Sequence, residues 1–237
     1  QKVLAREELI NLLKENAFTK PVFIRVNDAM EAIGREDIDA ISPYQDQIEA
    51  IILPKTQSFD FLATLAPMID FSNKLVPLIE TPRAIDTVTQ IAAFKDVVGL
   101  FFGAADSSAS LGCKLAWEPL LYARQKVVLA AAMYNLFTID APFFYMDDKE
   151  GLKKEAEAVK NLGFTGKAAI HPDQIDFINE SFAPTSEEIA EGKKVLEEYQ
   201  KSGGGAVKID GQMVDEPIAE AMRLKISLGE EEEENED

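Results

Sequence analysis

Two hydrophobic patterns alternate along this chain. Short, nearly continuous apolar runs of strand length are separated by longer segments whose apolar positions recur at helical spacing. Continuous apolar runs are typical of strands covered on both faces, and their alternation with helical segments indicates parallel strands joined by crossover helices. Six strands are predicted, at VFIRVN (22–27), AIILPK (50–55), LVPLIE (75–80), VVGLFFG (97–103), LFTIDAPF (136–143) and KAAIHP (167–172).

Helical patterns fill the segments between and after these runs. The segment 149–162 places its apolar residues on one face, and 185–201 begins with Thr185-Ser186-Glu187-Glu188, which is a capping pattern. The chain opens inside a charged amphipathic pattern, KVLAREELINLLKEN, so we expect further residues upstream. The predicted helices lie at about 57–70, 83–95, 118–134, 149–162, 173–180, 185–201 and 216–227.

A glycine-rich joint, Ser202-Gly203-Gly204-Gly205, follows the last long helix. We therefore expect a parallel α/β domain at 1–201, which the family resemblance described below implies to be a (β/α) barrel, a C-terminal lid segment and helix at 202–228, and a disordered acidic tail at 229–237. The tail contains seven acidic residues and no basic one, a composition that does not form a core.

The charge and cysteine content narrow the classes of function. The formal net charge is −18, and the chain stays acidic without its tail, which disfavours non-specific binding to nucleic acid or to an anionic membrane. No apolar run approaches the roughly 18–20 residues of a membrane-spanning helix. The single cysteine, Cys113, cannot form an intrachain disulfide and fits a reducing cytoplasm. We expect a cytoplasmic protein with a small-molecule substrate.

Polar side chains collect at the carboxyl ends of the predicted strands. Active sites form at this edge both in an eight-stranded (β/α)₈ barrel and in a doubly wound sheet, so the pattern leaves the two architectures open. The residues at or just beyond these ends are Arg25, Asn27, Lys55, Glu80, Asp106, Asp140 and His171.

Two of these residues are carboxylates on neighbouring strands. Glu80 ends the strand LVPLIE and is followed by Thr81-Pro82, while Asp106 follows the next strand in GAADSSASLG. Adjacent carboxylates repel one another unless a cation lies between them, and Mg²⁺ prefers oxygen ligands. The alternative is that Asp106 caps the following helix and Glu80 pairs with a nearby arginine such as Arg83.

Two cations end other strands. Arg25, in FIRVN, lies where a guanidinium is costly unless it meets an anion, so it is a candidate for binding a substrate carboxylate or thioester oxygen. A salt bridge with a loop acid is the structural alternative. Lys55, in LPKT, can pair with either carboxylate, and this ion-pair role is favoured over a catalytic one; it is also a candidate substrate-binding residue.

The remaining candidates are weaker. The segment GFTGKAAIHP lacks the phosphate-loop pattern, and His171, the only histidine, excludes a multi-histidine zinc site. Asp215, in MVDEP, precedes Pro217 in the manner of a helix N-cap, and this role is compatible with a chemical one.

Several of these motifs occur together in a fixed order. They are RVN (25–27), LPK (53–55), LIET (78–81), GAAD (103–106), LG (111–112), ID (139–140), LGFTGKAAIHPDQI (162–175), FAPT (182–185) and MVDEP (213–217). In this order and spacing the chain resembles the HpcH/HpaI aldolase and citrate lyase β-subunit family, which includes malyl-CoA and citramalyl-CoA lyases. The resemblance extends from about residue 2 to residue 227.

The resemblance implies a TIM (β/α)₈ barrel, usually a homotrimer, that binds Mg²⁺ and cleaves or forms 3-hydroxyacyl thioesters carried by CoA or acyl-carrier protein. At matching positions, Glu80 and Asp106 correspond to the metal ligands and Arg25 to the arginine that contacts the keto acid. Asp215 corresponds to the aspartate that some members supply from a neighbouring subunit as acid/base.

One departure accompanies the resemblance. Family members begin with two further strands, in segments like RSxLFVPG and DLEDAV, and neither segment occurs in this sequence. We therefore expect a barrel that lacks two strands in this chain. The activity that the resemblance implies is retro-aldol cleavage of a citryl-like thioester. The alternatives are aldol cleavage of a free hydroxy-keto acid, or a catalytically silent protein that binds a keto acid or acyl-CoA.

Overall fold

The chain forms two compact units, Gln1–Pro172 and Asp173–Asp237. The structure, a computed structural model, describes residues 1–69, 71, 74–209, 211–223 and 226–227. The first unit contains all the strands that the hydrophobic pattern predicts. The predicted lid function of 202–228 remains a prediction, and the acidic tail at 229–237 lies outside the described residues.

A parallel sheet forms the centre of the first unit. Its strands follow one another in the order of the chain, and every neighbouring pair is parallel. The six predicted strands and the α/β class are thereby confirmed. The strands are β1 (Phe23–Arg25), β2 (Ala50–Leu53), β3 (Leu75–Ile79), β4 (Gly99–Phe102), β5 (Phe137–Asp140) and β6 (Gly166–Lys167).

The order of these strands bears on the architecture. In a doubly wound sheet the order in which strands are added reverses at a switch point, whereas in a barrel each strand is added beside the one before it. The six described strands show no reversal. Closure into an eight-stranded barrel remains a prediction.

All six strands are shorter than the apolar runs that predicted them, and β5 and β6 differ most clearly at their carboxyl ends. β5 ends at Asp140, before Pro142, which has no main-chain N–H for a sheet hydrogen bond. β6 contains only Gly166 and Lys167, and the Ala168 N–H makes one further hydrogen bond, to the carbonyl of Asp140. The predicted strand at 167–172 is therefore wrong beyond this point.

Helices cover the sheet. α7 packs against both β4 and β5, and it also contacts α5. The helices of the first unit are α1 (Lys2–Lys14), α2 (Ala32–Ile41), α3 (Phe59–Leu65), α4 (Pro82–Asp86), α5 (Val88–Ala92), α6 (Ala104–Leu111), α7 (Trp117–Met133) and α8 (Lys149–Leu162).

Two predicted helices are interrupted. The segment 83–95 forms α4 and α5 instead of one helix, because the backbone leaves helical geometry at Thr87, whose hydroxyl donates to the carbonyl of Arg83 at 2.9 Å. α3 ends at Leu65, and a 3-10 turn containing Pro67 follows at Ala66–Met68. Residue 70, at the end of the prediction for 57–70, lies outside the described residues.

The two faces of the sheet bury different sets of residues. Side chains alternate along each strand, so Ile51, Leu53 and Ile79 are buried on the face opposite to Ile52 and Leu78. A separate apolar cluster forms on the second face, where Phe23 and Phe137 meet edge to face with ring centres 5.7 Å apart. The members of that cluster are Ala50, Ile52, Val76 and Leu78, with Val98, Phe101 and Phe137 packed against it.

The second unit combines helices with a hairpin. α9 (Ile175–Phe182) and α10 (Ser186–Lys201) are followed by the antiparallel strands β7 (Val207–Ile209) and β8 (Gln212–Val214), which the sequence did not predict. The capping box of α10 is formed as predicted, with Thr185 and Glu188 satisfying each other's main-chain N–H groups. Residues 216–223 and 226–227 are helical. Within the described part of the chain, no helix combines the length and apolar character needed to cross a membrane.

Candidate active site

Glu80 lies at the carboxyl end of β3. Thr81 immediately begins the next helix, its hydroxyl accepting a hydrogen bond from the N–H of Ala84, so Glu80 alone connects the strand to the helix cap. Side chains alternate between the two faces of a strand, so Glu80 lies on the same face of β3 as Val76 and Leu78. These two residues belong to the apolar cluster on the second face of the sheet. The side chain is only 4% exposed. A carboxylate buried at this position requires partners.

Asp106 reaches the same point from the next strand. It lies in the first turn of α6, whose N-cap is Gly103, and the N–H of Gly103 donates to the carbonyl of Ile79 at 2.9 Å. A Cβ atom on Gly103 would lie 2.6 Å from the Cβ of Glu80. Glycine is therefore required for the start of α6 to approach Glu80 this closely.

Lys55, just beyond β2, lies between the two carboxylates. Its Nζ is 2.9 Å from Oδ1 of Asp106 and 3.4 Å from Oε1 of Glu80. Its main-chain N–H also donates to Oε1 of Glu80 at 2.8 Å. The backbone of Lys55 has a φ of +59°, a left-handed conformation that is uncommon for a residue other than glycine.

The pKa values of this trio diverge. Burial raises the pKa of Glu80, and the neighbouring charge of Asp106 adds to this, against the opposing hydrogen bond and charge of Lys55. The hydrogen bond from Lys55 lowers the pKa of Asp106, and the same bond raises the pKa of Lys55. A hydrogen bond with the Glu80 carboxyl group also contributes to the lowered pKa of Asp106. A second positive charge would relieve the repulsion that Lys55 only partly offsets.

Arg25 lies on the same face of the sheet. In β1, Phe23 and Arg25 are exposed while Ile24 is buried. Arg25 is in register with Ile52, which belongs to the apolar cluster on the second face of the sheet. Its charge helps to lower the pKa of Asp106. The structure thus brings Arg25, Lys55, Glu80 and Asp106 to one rim of the sheet.

Asn27, two residues beyond Arg25, has a different role. Its main-chain N–H and its side-chain Nδ2 both donate to Oδ2 of Asp37 in α2, at 2.9 and 2.6 Å. Arg6 of α1 donates to the other oxygen of Asp37 at 2.7 Å. Asn27 therefore helps to join β1, α2 and α1.

Asp215 belongs to the second unit. It directly follows β8, is exposed, and precedes the helix at 216–223. Its carbonyl accepts a hydrogen bond from the N–H of Ala219 at 2.9 Å, as expected for a residue at a helix start. Its assignment as acid/base remains a prediction.

A buried charge network lies at the ends of β5 and β6. Arg124 donates to Asp140 at 2.8 Å through Nε, and Lys167 donates to Asp140 at 2.8 Å and to Glu155 at 2.7 Å. The guanidinium of Arg124 also lies over the ring of Trp117, 4.8 Å from its centre. Two positive and two negative charges balance one another, as burial requires.

The sequence pattern did not identify this network as a unit. Asp140 was recognisable as a strand-end acid, which was the available signal, whereas Lys167 was predicted at the start of the strand 167–172 and only the structure places it at the end of β6. Arg124 gave none, because it lies in the middle of a long helix and its partner is sixteen residues away.

The candidate metal site contains two carboxylates. Within the part of the chain that the structure describes, no group of three or more histidine, cysteine, aspartate or glutamate residues is arranged to hold a metal ion. Such a pair suits Mg²⁺, which commonly takes one or two protein carboxylates and completes its shell with water and substrate oxygens. The oxygen-only donor set and the shared cation at Lys55 fit this ion.

Two known proteins with similar sequences are lyases by name. The chain is 29% identical to the citrate lyase subunit beta of Haemophilus influenzae, over 93% of this chain and 83% of that protein. It is 30% identical to the mitochondrial citramalyl-CoA lyase of Homo sapiens, over 86% of this chain and 67% of that protein.

A solved structure extends the comparison to the fold. The protein CitE from Mycobacterium tuberculosis, in complex with magnesium, acetoacetate and coenzyme A, superposes with a TM-score of 0.76 at 29% identity, covering 88% of this chain and 78% of that one. The HpcH/HpaI aldolase/citrate lyase family model matches residues 1–172, which include the whole parallel sheet. The chain therefore belongs to the HpcH/HpaI aldolase/citrate lyase family of carbon–carbon lyases.

Proposed function

We propose that this protein is a Mg²⁺-dependent lyase that cleaves, or in reverse forms, a 3-hydroxyacyl thioester, with a 2-keto acid and an acetyl thioester as the other side of the reaction. The observation that carries the proposal is the convergence of Glu80 and Asp106 on one cation position, marked by Nζ of Lys55 at 2.9 and 3.4 Å. Magnesium and coenzyme A in the complex of the M. tuberculosis protein support the metal and the thioester carrier, and its acetoacetate, a 3-keto acid, supports binding of a small keto acid.

Glu80 and Asp106 are the proposed metal ligands. Bound Mg²⁺ would supply Lewis-acid polarisation of the substrate oxygen that changes from hydroxyl to carbonyl. Glu80 is buried and is held by the hydrogen bond from the main-chain N–H of Lys55. Asp106, in contrast, is half exposed at the rim. This arrangement leaves one side of the site accessible to substrate.

Arg25 is the proposed anion-binding residue. Its guanidinium lies on the rim face and is always charged, so it can pair with the carboxylate of the keto acid in a fixed geometry. A preorganised charge at that point stabilises negative charge that develops on oxygen during cleavage. Lys55 is proposed to contribute a second cation to the substrate carboxylate.

Proton transfer to carbon is assigned to Asp215. In the cleavage direction the bond between the hydroxyl-bearing carbon and the acetyl carbon breaks, the hydroxyl loses its proton, and the acetyl carbon gains one. The resemblance to thioester lyases assigns this proton to an aspartate of the C-terminal segment of a neighbouring subunit. We accordingly propose a homotrimer of (β/α)₈ barrels in which the segment at 202–228 acts as a lid.

Substrate assays test the proposal. Citryl-, malyl- and citramalyl-CoA should each be incubated with the protein in the presence of Mg²⁺ and, separately, of a chelator, with the keto acid product measured. Turnover of at least one thioester that stops with chelator is the expected result. Turnover of the free hydroxy-keto acid alone would replace the thioester with the aldolase alternative. Binding without turnover of any compound would favour the catalytically silent alternative.

A further inference from the structure

The ammonium group of Lys55 occupies the space between Glu80 and Asp106 that a metal ion bound to both carboxylates would need. Nζ is within ion-pair distance of Oδ1 of Asp106 and Oε1 of Glu80. Mg²⁺ requires oxygen ligands at about 2.0–2.1 Å, and an ammonium in the same space would be excluded both sterically and by charge.

The two halves of Lys55 are held differently. Its main-chain N–H binds Oε1 of Glu80 at 2.8 Å, and the left-handed backbone at φ +59° fixes the direction of this bond. The side chain is a flexible four-carbon stem that is 45% exposed. The ammonium can therefore leave for solvent while the backbone keeps Glu80 in position.

We propose that Lys55 is a tethered cation that neutralises Glu80 and Asp106 before metal binds, is displaced by the divalent ion, and sets the affinity of the site by competing with it. This inference rests on the proposed function, since it takes the two carboxylates as the metal ligands. The displaced ammonium remains attached at the rim, where it faces the same solvent space as an incoming substrate carboxylate. Lys55 is thus a residue that tunes metal binding and does not ligate the metal.

Metal affinity provides the direct test. Mn²⁺ serves as the probe, because it takes the same oxygen ligands and its binding can be followed by electron paramagnetic resonance or calorimetry without turnover. Lys55→Met removes the ammonium, retains the main-chain N–H and keeps a similar length. Mn²⁺ should bind this variant about tenfold more tightly than the unaltered protein, as expected for loss of one competing charge.

Two control variants separate the effect from others. Lys55→Arg retains a positive charge and should bind Mn²⁺ with an affinity close to that of the unaltered protein. Lys126→Met removes a lysine of α7 that pairs with Asp86, at a position outside the site, and should leave the affinity unchanged. Equal or weaker binding of Mn²⁺ by Lys55→Met would overturn the inference and leave the proposed lyase function standing. Absence of Mn²⁺ binding in both the unaltered protein and Lys55→Met would overturn both.

A measurement on the unaltered protein covers the case in which Lys55→Met fails to fold. An amine-directed acylating reagent is added with and without Mg²⁺, and modification of each lysine is mapped by mass spectrometry. Displacement from the carboxylates should increase the modification of Lys55 by several-fold when Mg²⁺ is present, with Lys126 unchanged. Equal modification of Lys55 in both conditions would contradict displacement.

Discussion

The main-chain N–H of Lys55 holds the carboxylate of Glu80, while the side chain of the same lysine lies 3.4 Å from that carboxylate and 2.9 Å from Asp106. One residue therefore positions a candidate metal ligand through its backbone and neutralises two ligands through its ammonium.

Replacing either candidate ligand should remove metal-dependent activity. Glu80→Gln and Asp106→Asn preserve shape but remove the negative charge, and turnover of the active thioester should fall by about a hundredfold or more, the order expected for loss of a preorganised charged group. Mn²⁺ affinity should fall in parallel. Asp60→Asn is the matched control, since Asp60 is an exposed aspartate in the first turn of α3. Retained turnover in either ligand variant would remove that residue from the metal site.

Gly103→Ala should disturb Glu80 directly. The added Cβ would lie 2.6 Å from the Cβ of Glu80, so one of the two must move. We expect a loss of about 1–3 kcal/mol in the free energy of unfolding, typical of overpacking, together with weaker Mn²⁺ binding. Gly166→Ala in β6 is the control, because an added Cβ there has no atom within 4 Å. In the control, the free energy of unfolding and the Mn²⁺ affinity should stay close to their original values. If Gly103→Ala changes neither quantity, the contact between residue 103 and Glu80 relaxes without cost and the prediction is wrong.

Asp37 should make folding stability depend on pH. Burial opposes ionisation of Asp37, but hydrogen bonds from the main chain and side chain of Asn27 and from Arg6 outweigh burial and lower its pKa. A lowered pKa in the folded state gives stability that is fully present above the unfolded value, about 3.9, and is lost as pH falls through the folded value.

Asp37→Asn tests this dependence. At pH 7 the substitution should lower the free energy of unfolding by about 1–3 kcal/mol, since the lost hydrogen bonds involve a charged acceptor. The difference between the two proteins, measured by urea unfolding from pH 7 down to about 3, should shrink only below about pH 4. A difference that is constant over this range would mean that the ionised form of Asp37 contributes nothing.

Asp140→Asn should destabilise the first unit. Asp140 is fully buried and accepts from both Arg124 and Lys167, so its neutralisation leaves the buried Arg124 without a counter-charge and Lys167 with Glu155 alone. We expect a loss of about 3–5 kcal/mol in the free energy of unfolding. Asp86→Asn is the control, since this exposed residue pairs with Lys126 at 3.6 Å and should change stability by less than about 1 kcal/mol. Similar losses in the two variants would mean that the buried network contributes no more than a surface pair.

Much of the framework was predictable from the sequence. The six apolar runs specified the strands, because burial on both faces leaves a continuous hydrophobic signal. Their alternation with helical patterns specified parallel pairing, and the polar residues that end the runs identified the rim where Glu80 and Asp106 meet. The capping box of α10 followed from four consecutive residues. Each of these features is encoded locally.

Other features depended on contacts between distant segments, which only the tertiary structure decided. The position of the Lys55 ammonium between Glu80 and Asp106, the commitment of Asn27 to Asp37, and the burial of Arg124 against Asp140 each depend on register, rotamer and helix orientation. A sequence lists the charges at a rim but does not state which pairs form, since several pairings satisfy the same composition. The chain thus determines by local pattern where its site forms, and packing across the sheet determines which charges hold it.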